Sequence, residues 1–440
     1  MESNIDILAN ATGEFGRWQI LLTVAMTLPV RMTAVWNHMA IIFLAQKTQF
    51  MCINGVEDAQ NETCYTDCKQ YGYHTDFDNT IISQWDLVCS RAWLANFNQT
   101  ITMLGVLVGS VVFGFFADRR GRRPTLLTAC TLQLIAGFAA PYCPDYWSFT
   151  TTRFFTGAAT AGTMLTAFTL MMEMTGQQKR ELMSCLCALP LTIGEMIMPA
   201  FAYYLRSWDK FSMGIAVPNV VFLVFFFLVP ESPKWLISVG RLDEAAAVME
   251  KVAKWNRRPP QNMIEIVNKI AHESTTDKPK EKASFLDLMR PNLRTKNLCS
   301  CITWFILGMS FYGSNQYIGQ TSSNPFASIS LAGVLQIPGV FLSGYLCKRF
   351  GRRITLITFL LVCGVSNSLL SVPDEYFYLK LVVGSVGVSS ASGAFAAMYM
   401  YTTELFPTVA RNMAMGVSST ASRIGSIIAP FVAGASVAGG

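Results

Sequence analysis

One ten-residue stretch occurs twice in this chain and limits what it can fold into. Gly114–Arg123 reads GFFADRRGRR, and Gly344–Arg353, 230 positions later, reads GYLCKRFGRR. Each copy follows an apolar run long enough to cross a bilayer, and another such run begins right after it. Four arginines (Arg119, Arg120, Arg122, Arg123) crowd into a connection too short to be a domain. That pattern predicts a tight hairpin between two transmembrane helices, on the cytoplasmic side where Lys and Arg accumulate. Its recurrence predicts a duplicated membrane protein.

The apolar content agrees. Hydrophobic residues make up 52% of the chain and charged residues 14%, against roughly 25% charged in soluble domains. A formal net charge of +6 would suit an acidic partner such as nucleic acid, but the basic residues are dispersed among membrane-flanking loops and read as topology signals. The N-terminal residues are polar and of mixed charge, unlike a cleaved signal peptide.

In chain order, residues 1–17 read as a cytoplasmic N-terminus and 18–45 as a first span interrupted by Arg31 and His38. Residues 46–92 carry seven acids, the cysteines Cys52, Cys64, Cys68 and Cys89, and the sequon Asn61-Glu62-Thr63. An acidic loop of this kind belongs outside the cell, where disulfides persist; four cysteines allow three pairings, which spacing does not distinguish. Asn98 begins a second sequon but sits at the mouth of a span. Further spans are expected at 95–117, 124–142, 149–174, 182–205 and 213–229, each near the ~20 residues a bilayer requires.

Residues 231–297 hold thirteen Lys and Arg and read as a cytoplasmic linker between the 18–230 half and the 298–440 half. Within it, apolar stripes through Met249, Val252 and Ala253 and through Met263, Ile266, Val267 and Ile270 predict amphipathic helices. Ser284–Asp287 has the form of a capping box opening a third. Spans at 298–319, 326–347, 354–372, 377–403 and 413–437 follow. Six spans precede the linker and five follow it, so the duplication leads us to expect a twelfth that this chain lacks. The repeat extends further: Glu173 and Arg180 are echoed by Glu404 and Arg411, and Arg153 with Gly157 by Lys380 with Gly384. Two six-helix halves with a solute site between them at the midplane is the parallel-repeat transporter arrangement.

At this point the chain resembles a known family. The hairpin is similar to the signature of the major facilitator superfamily. Three stretches resemble its organic cation, organic anion and carnitine transporters: Ser83–Cys89 (SQWDLVC), Pro230–Leu236 (PESPKWL) and Glu404–Asn412 (ELFPTVARN). The implied fold is all-α and integral to the membrane, and the implied role is alternating-access transport of a small organic ion across the plasma membrane. The resemblance also implies a cytoplasmic gate made of Asp118, Arg119, Arg122, Glu173, Arg180, Glu404 and Arg411. In the second copy Lys348, Arg349 and Arg352 stand in the gate, with Lys348 replacing the aspartate. The alternative is that these arginines only orient the hairpins.

Cation-transporting relatives carry an aspartate where this chain has Arg423, and anion and carnitine relatives carry arginine; Gln336 matches a position often acidic in cation transporters. Val340 matches a position that is lysine in some anion transporters. A guanidinium in a dry site offers two parallel donors to a carboxylate, so a zwitterion or amphipathic anion is expected; pairing of Arg423 with Glu195 or Glu404 is the competing reading. Ionisable groups within spans usually face a cavity or a partner, which adds Glu195 to the expected binding residues. Tyr312 and Asn315 join it because Gly308, Gly313 and Gly319 break the seventh span around them. Tyr399 could give a cation–π face, and His38 reads as a packed polar residue. Cofactor, metal and catalytic chemistry have no support, for there is no phosphate loop, no zinc-ligand pair on one helix, and the chain has three histidines. A sugar-porter-like carrier and a truncated, non-transporting regulator are the alternatives.

Overall fold

In lipid every backbone polar group has to find its partner within the protein, which leaves helices as the economical solution for runs this apolar. The structure, a computed structural model, describes residues 11–13, 16–46, 48–54, 61–65, 68–74, 77–176, 179–259, 262–276, 288–322, 324–370, 376–406 and 408–438. The first half contains α1 (Arg17–Met39), α2 (Trp93–Arg120), α3 (Arg122–Ala139), α4 (Tyr146–Met174), α5 (Arg180–Tyr204) and α6 (Trp208–Ala216). Three shorter helices follow: α7 (Pro233–Ser238), α8 (Leu242–Trp255) and α9 (Met263–Thr276). The second half contains α10 (Pro291–Thr321), α11 (Pro325–Arg349), α12 (Arg352–Leu369), α13 (Phe377–Leu405) and α14 (Thr408–Ala438). Among the described residues nine helices are long and apolar enough to cross a membrane. Helices α10 and α14, each 31 residues long, occupy two further expected runs.

The sixth expected span is not one regular helix. After α6 the chain tightens into a 3-10 helix over Val217–Val224 before one last α-turn at Phe225–Leu228. Pro218 explains this, because it has no N–H to give and its ring crowds the preceding turn. The expected capping box at 284–287 lies outside the described residues.

Close helix packing repeats with the sequence. A Cβ on Gly109 of α2 would run into the Ala158 backbone on α4, and a Cβ on Gly339 of α11 would meet Ser389 on α13. Small residues let membrane helices approach closely enough for dispersion to hold them. The same seam therefore joins α2 to α4 and α11 to α13.

The cysteine loop forms a two-stranded antiparallel sheet, β1 (Gln49–Asn54) with β2 (Gln70–His74), in which Gln49 faces His74. Two disulfides settle the pairing that spacing left open: Cys52–Cys68 and Cys64–Cys89. Each closes a short loop, worth roughly 3 kcal/mol in chain-entropy terms. Tyr73 Oη donates to Asp86 at 2.7 Å; burial, then this bond, raises the phenol above its ordinary pKa. Asn61 is exposed in a turn. Asn98, by contrast, is fully buried and donates to Thr150 Oγ1 at 3.0 Å.

The first hairpin is locked by the chain that follows α6. At Gly121 φ is +106° and ψ 163°, a region essentially confined to glycine. This sharp exit exposes the first amides of α3, and Glu231 accepts from Arg122 N–H at 2.8 Å and Arg123 N–H at 3.1 Å. A carboxylate at a helix N-terminus satisfies orphan donors and favours the dipole. Trp235 Nε1 donates to the Asp118 carbonyl at 3.0 Å, so α7 is pinned across both arms. Beyond it Asn256 accepts from Trp18 N–H at 2.9 Å and donates to Gln19 Oε1 at 2.8 Å, tying the end of α8 to the start of α1.

A Cβ at Gly121 would collide with the Glu231 carboxylate and crowd Trp235, while Gly351 (φ +88°) has nothing within 4 Å. Both positions carry the backbone cost of a glycine-only conformation, about 1–3 kcal/mol. Gly121→Ala is therefore expected to lower the thermal unfolding midpoint of the detergent-solubilised protein more than Gly351→Ala does. Equal losses would mean that Glu231 contributes nothing at the hairpin.

Candidate solute site between the two halves

The repeat places equivalent ion pairs at the hairpin end of each half. Arg122 grips Glu173 with two bonds, Nε to Oε2 at 3.1 Å and Nη2 to Oε1 at 2.9 Å. Asp118 adds a third contact at 3.2 Å from one turn earlier on α2. Both Arg122 and Glu173 side chains are about one-eighth exposed (12% and 13%), so this fork is largely shielded from water. In the second half Arg352 pairs with Glu404 at 2.6 Å, but with 39% and 51% exposure. Lys348 stands where Asp118 stands in the first copy, which removes the third arm. Lys348 and Arg349 are exposed. Arg119 lies over the Phe115 ring at 4.2 Å, one helical turn away on the same face, instead of in the cluster. The side chains of Arg180 and Arg411 lie outside the described ones.

The halves meet toward the other end, beside the cysteine loop. Gln316 Nε2 donates to Asn96 Oδ1 at 2.9 Å, Thr100 Oγ1 to the Ile427 carbonyl at 2.9 Å, and Ser330 Oγ to the Met196 carbonyl at 3.5 Å. Phe326 of α11 stacks on Phe43 and Phe77 of the first half. At the hairpin end the Arg122–Glu173–Asp118 and Arg352–Glu404 clusters each lie within one half.

Between these two ends lies a seam of polar residues that apolar helices would not otherwise carry. Tyr312 on α10 sits at its middle, edge-on to His38 of α1 with centroids 6.3 Å apart, and within the fields of Arg423, Tyr399 and Glu195. His38 is buried, with Nε2 unpartnered. Asn315, one turn along α10, donates to the Phe311 carbonyl at 3.1 Å and leaves Oδ1 unpartnered. Glu195 on α5 faces Gln336 on α11 across the seam, yet Glu195 Oε1 and Gln336 Nε2 both lack a partner at hydrogen-bonding distance. Gln336 Oε1 is taken by Ser392 Oγ at 2.9 Å. Tyr399 packs edge-on against Trp304 at 4.5 Å and stays half-exposed. Arg31 lies over Phe168 at 5.5 Å, within the field of Tyr399.

Arg423 is half-buried on α14, and among the described residues it forms no ion pair. The expected competitor Glu404 is occupied by Arg352. The seam thus gathers Arg423, Tyr312, Tyr399, Glu195 and Gln336, with Asn315 beside them. Sequence reasoning read His38 as a packed polar residue, with a proton carrier as the alternative, and gave Glu231 and Asn256 no role. The sole sequence signal for Glu231 was its place in PESPKWL, and a single polar residue such as Asn256 at a helix end carries no such signal.

A model of the sugar (and other) transporter family matches residues 64–435. The chain belongs to this family. It is 31% identical over 96% of its length to the organic cation transporter protein of Drosophila melanogaster, of which it spans 85%. It is 32% identical, over 96% of its length and 77% of theirs, to solute carrier family 22 member 12 of Rattus norvegicus. The fold matches the inward-open xylose transporter XylE of E. coli with a TM-score of 0.64, at 15% identity and with 94% of this chain and 88% of that one covered. The protein is a major facilitator of the organic cation transporter and solute carrier 22 group, a multi-pass membrane transporter and not an enzyme.

Breaking a buried ion pair by removing one partner leaves an uncompensated charge and costs on the order of 3 kcal/mol, whereas an exposed pair is worth under about 1 kcal/mol. Arg122→Ala is expected to destabilise the solubilised protein markedly and Arg352→Ala little. Thermal unfolding of the two variants side by side checks this, and a reversed order would contradict it.

Proposed function

We propose that this transporter carries small organic ions across the plasma membrane by alternating access, and that it takes anionic or zwitterionic solutes. The observation that carries the charge preference is the balance of the seam. Arg31 and Arg423, both half-buried, bring two guanidinium groups to the membrane interior, and Glu195 is the one carboxylate among the fully buried residues described. A site with that field and with low polarisability favours a carboxylate. Arg423 presents the fork that binds it, while Tyr312, Tyr399 and Asn315 supply aromatic and polar walls. Glu195 with Gln336 offers a pole for a cationic group at the far end of a zwitterion. The names of the relatives bring the organic-ion class to this chain.

On this reading residues 18–230 and 298–440 rock about the seam, and the hairpins, the N-terminus and the 231–297 linker face the cytoplasm. The cysteine loop is extracellular, with Asn61 as its glycan site. The Arg122–Glu173–Asp118 and Arg352–Glu404 clusters serve as the cytoplasmic gate, joined by Arg180 and Arg411, and Lys348 and Arg349 form its basic rim.

The test is uptake by cells expressing the chain at matched surface levels, with labelled carnitine, a quaternary ammonium cation and an aromatic carboxylate. A charge-assisted bond is worth about 1.5–3 kcal/mol. Arg423→Gln is therefore expected to lower carboxylate uptake roughly tenfold or more, and Arg423→Asp to turn the preference toward the cation. An unchanged order of preference in Arg423→Asp would overturn the charge assignment.

A further inference from the structure

Arg153 stands apart from the gate and from Arg423. It lies on α4, is 3% exposed, and among the described residues it forms no ion pair. Its Nη2 donates to the Asn37 carbonyl at 2.8 Å, and Nε is buried without a partner. The next residue along α1, His38, has its own buried Nε2 unpartnered and lies in the field of Arg153. Gln99 Nε2 holds the His38 carbonyl at 2.7 Å and so fixes this turn of α1 against α2. Three helices thus converge on one buried cation, whose own Nε and the neighbouring His38 Nε2 are left without partners.

A buried, full positive charge with no counter-charge is among the costliest arrangements in a protein interior, and native structures answer it with a partner. A neutral amide can satisfy a donor but not the charge. The groups left over, Arg153 Nε–H and His38 Nε2 (able to present an N–H), are both nitrogen donors. Nearby Asn98 Oδ1 and Gln99 Oε1 are also unpartnered, so water bridging these acceptors to the donors is the competing arrangement; it would satisfy the hydrogen bonds and leave the charge unanswered.

We propose that a small inorganic anion of halide size binds between Arg153 and His38 as the resident counter-ion of the α1–α2–α4 contact, at a site separate from the organic solute. The inference concerns binding and does not rest on the transport reading. Such an anion neutralises the Arg153 charge and holds α1 at the turn that presents His38 to Tyr312.

The experiment uses the purified full chain in detergent, with sodium gluconate replaced by sodium chloride at constant ionic strength. Thermal unfolding and binding of labelled chloride are both read. The expected result is a saturable rise of the unfolding midpoint by a few degrees and about one chloride bound per chain, since a ligand that binds only the native state stabilises it. His38→Gln should weaken chloride binding, Arg153→Gln should abolish it, and Arg423→Gln should leave it intact. Should Arg153→Gln not fold, Arg153→Lys is the substitute and should bind chloride with lowered affinity. Two results would overturn the proposal. Wild-type protein indifferent to chloride in both readouts would mean that water satisfies the site, and chloride binding lost in Arg423→Gln but kept in Arg153→Gln would place the anion with the organic solute.

Discussion

A guanidinium removed from water has to be answered by opposite charge, and this chain answers it at one end and leaves it open in the middle. At the hairpin end Arg122 is gripped by Glu173 and Asp118, and Arg352 by Glu404. In the seam Arg423 has no ion-pair partner among the described residues, and Glu195 faces only an amide. Paired charges compensate the arginines at the hairpin end of each half, where Gly121 and Gly351 let the chain turn sharply. Unpaired charges between the halves are what a charged solute can complete. The division of labour follows from where desolvation is compensated within the chain and where it is not.

The hairpin end of each half depends on geometry that the duplication preserves only in part. Arg122 and Arg352, Glu173 and Glu404, and the glycine seams at Gly109 and Gly339 recur together, so the two halves fold by the same packing rules. The exceptions are informative. Lys348 removes one arm of the second cluster, and Gly351 meets no counterpart of Glu231. The first hairpin is consequently more tightly determined than the second, and α7 and α8 are fastened to the first half through Trp235 and Asn256.

Much of this was legible in the residues. Apolar runs of bilayer length and basic connections are one-dimensional signals, so the helices and the duplication could be read directly, whereas the clusters at Arg122 and Arg352 were implied by the family resemblance. Arg423, Tyr312 and Glu195 were legible as unusual polar residues in apolar runs, and their gathering into one seam required the packing of α5, α10, α11 and α14. Disulfide pairing was not legible, because the β1–β2 hairpin that sets Cys52 near Cys68, and the return of the chain that sets Cys64 against Cys89, are folds that spacing does not encode. The cap that Glu231 places on α3, and the tie between Asn256 and α1, join residues over a hundred positions apart. No local pattern announces such contacts. Pro218 was visible, but its consequence, a 3-10 segment within an apolar run, depends on how the neighbouring helices accept the tighter turn.

On the proposed alternating-access reading, the two halves joined beside the cysteine loop part there as a solute crosses. The most direct measurement is transport by a chain carrying cysteines at Asn96 and Gln316, which touch across the halves at 2.9 Å, bridged by a short bifunctional thiol reagent. Bridging is expected to stop uptake, and a cleavable bridge, once reduced, to restore it. Undiminished uptake by the fully bridged protein would mean that the halves need not separate at that end, and alternating access about this seam would fall.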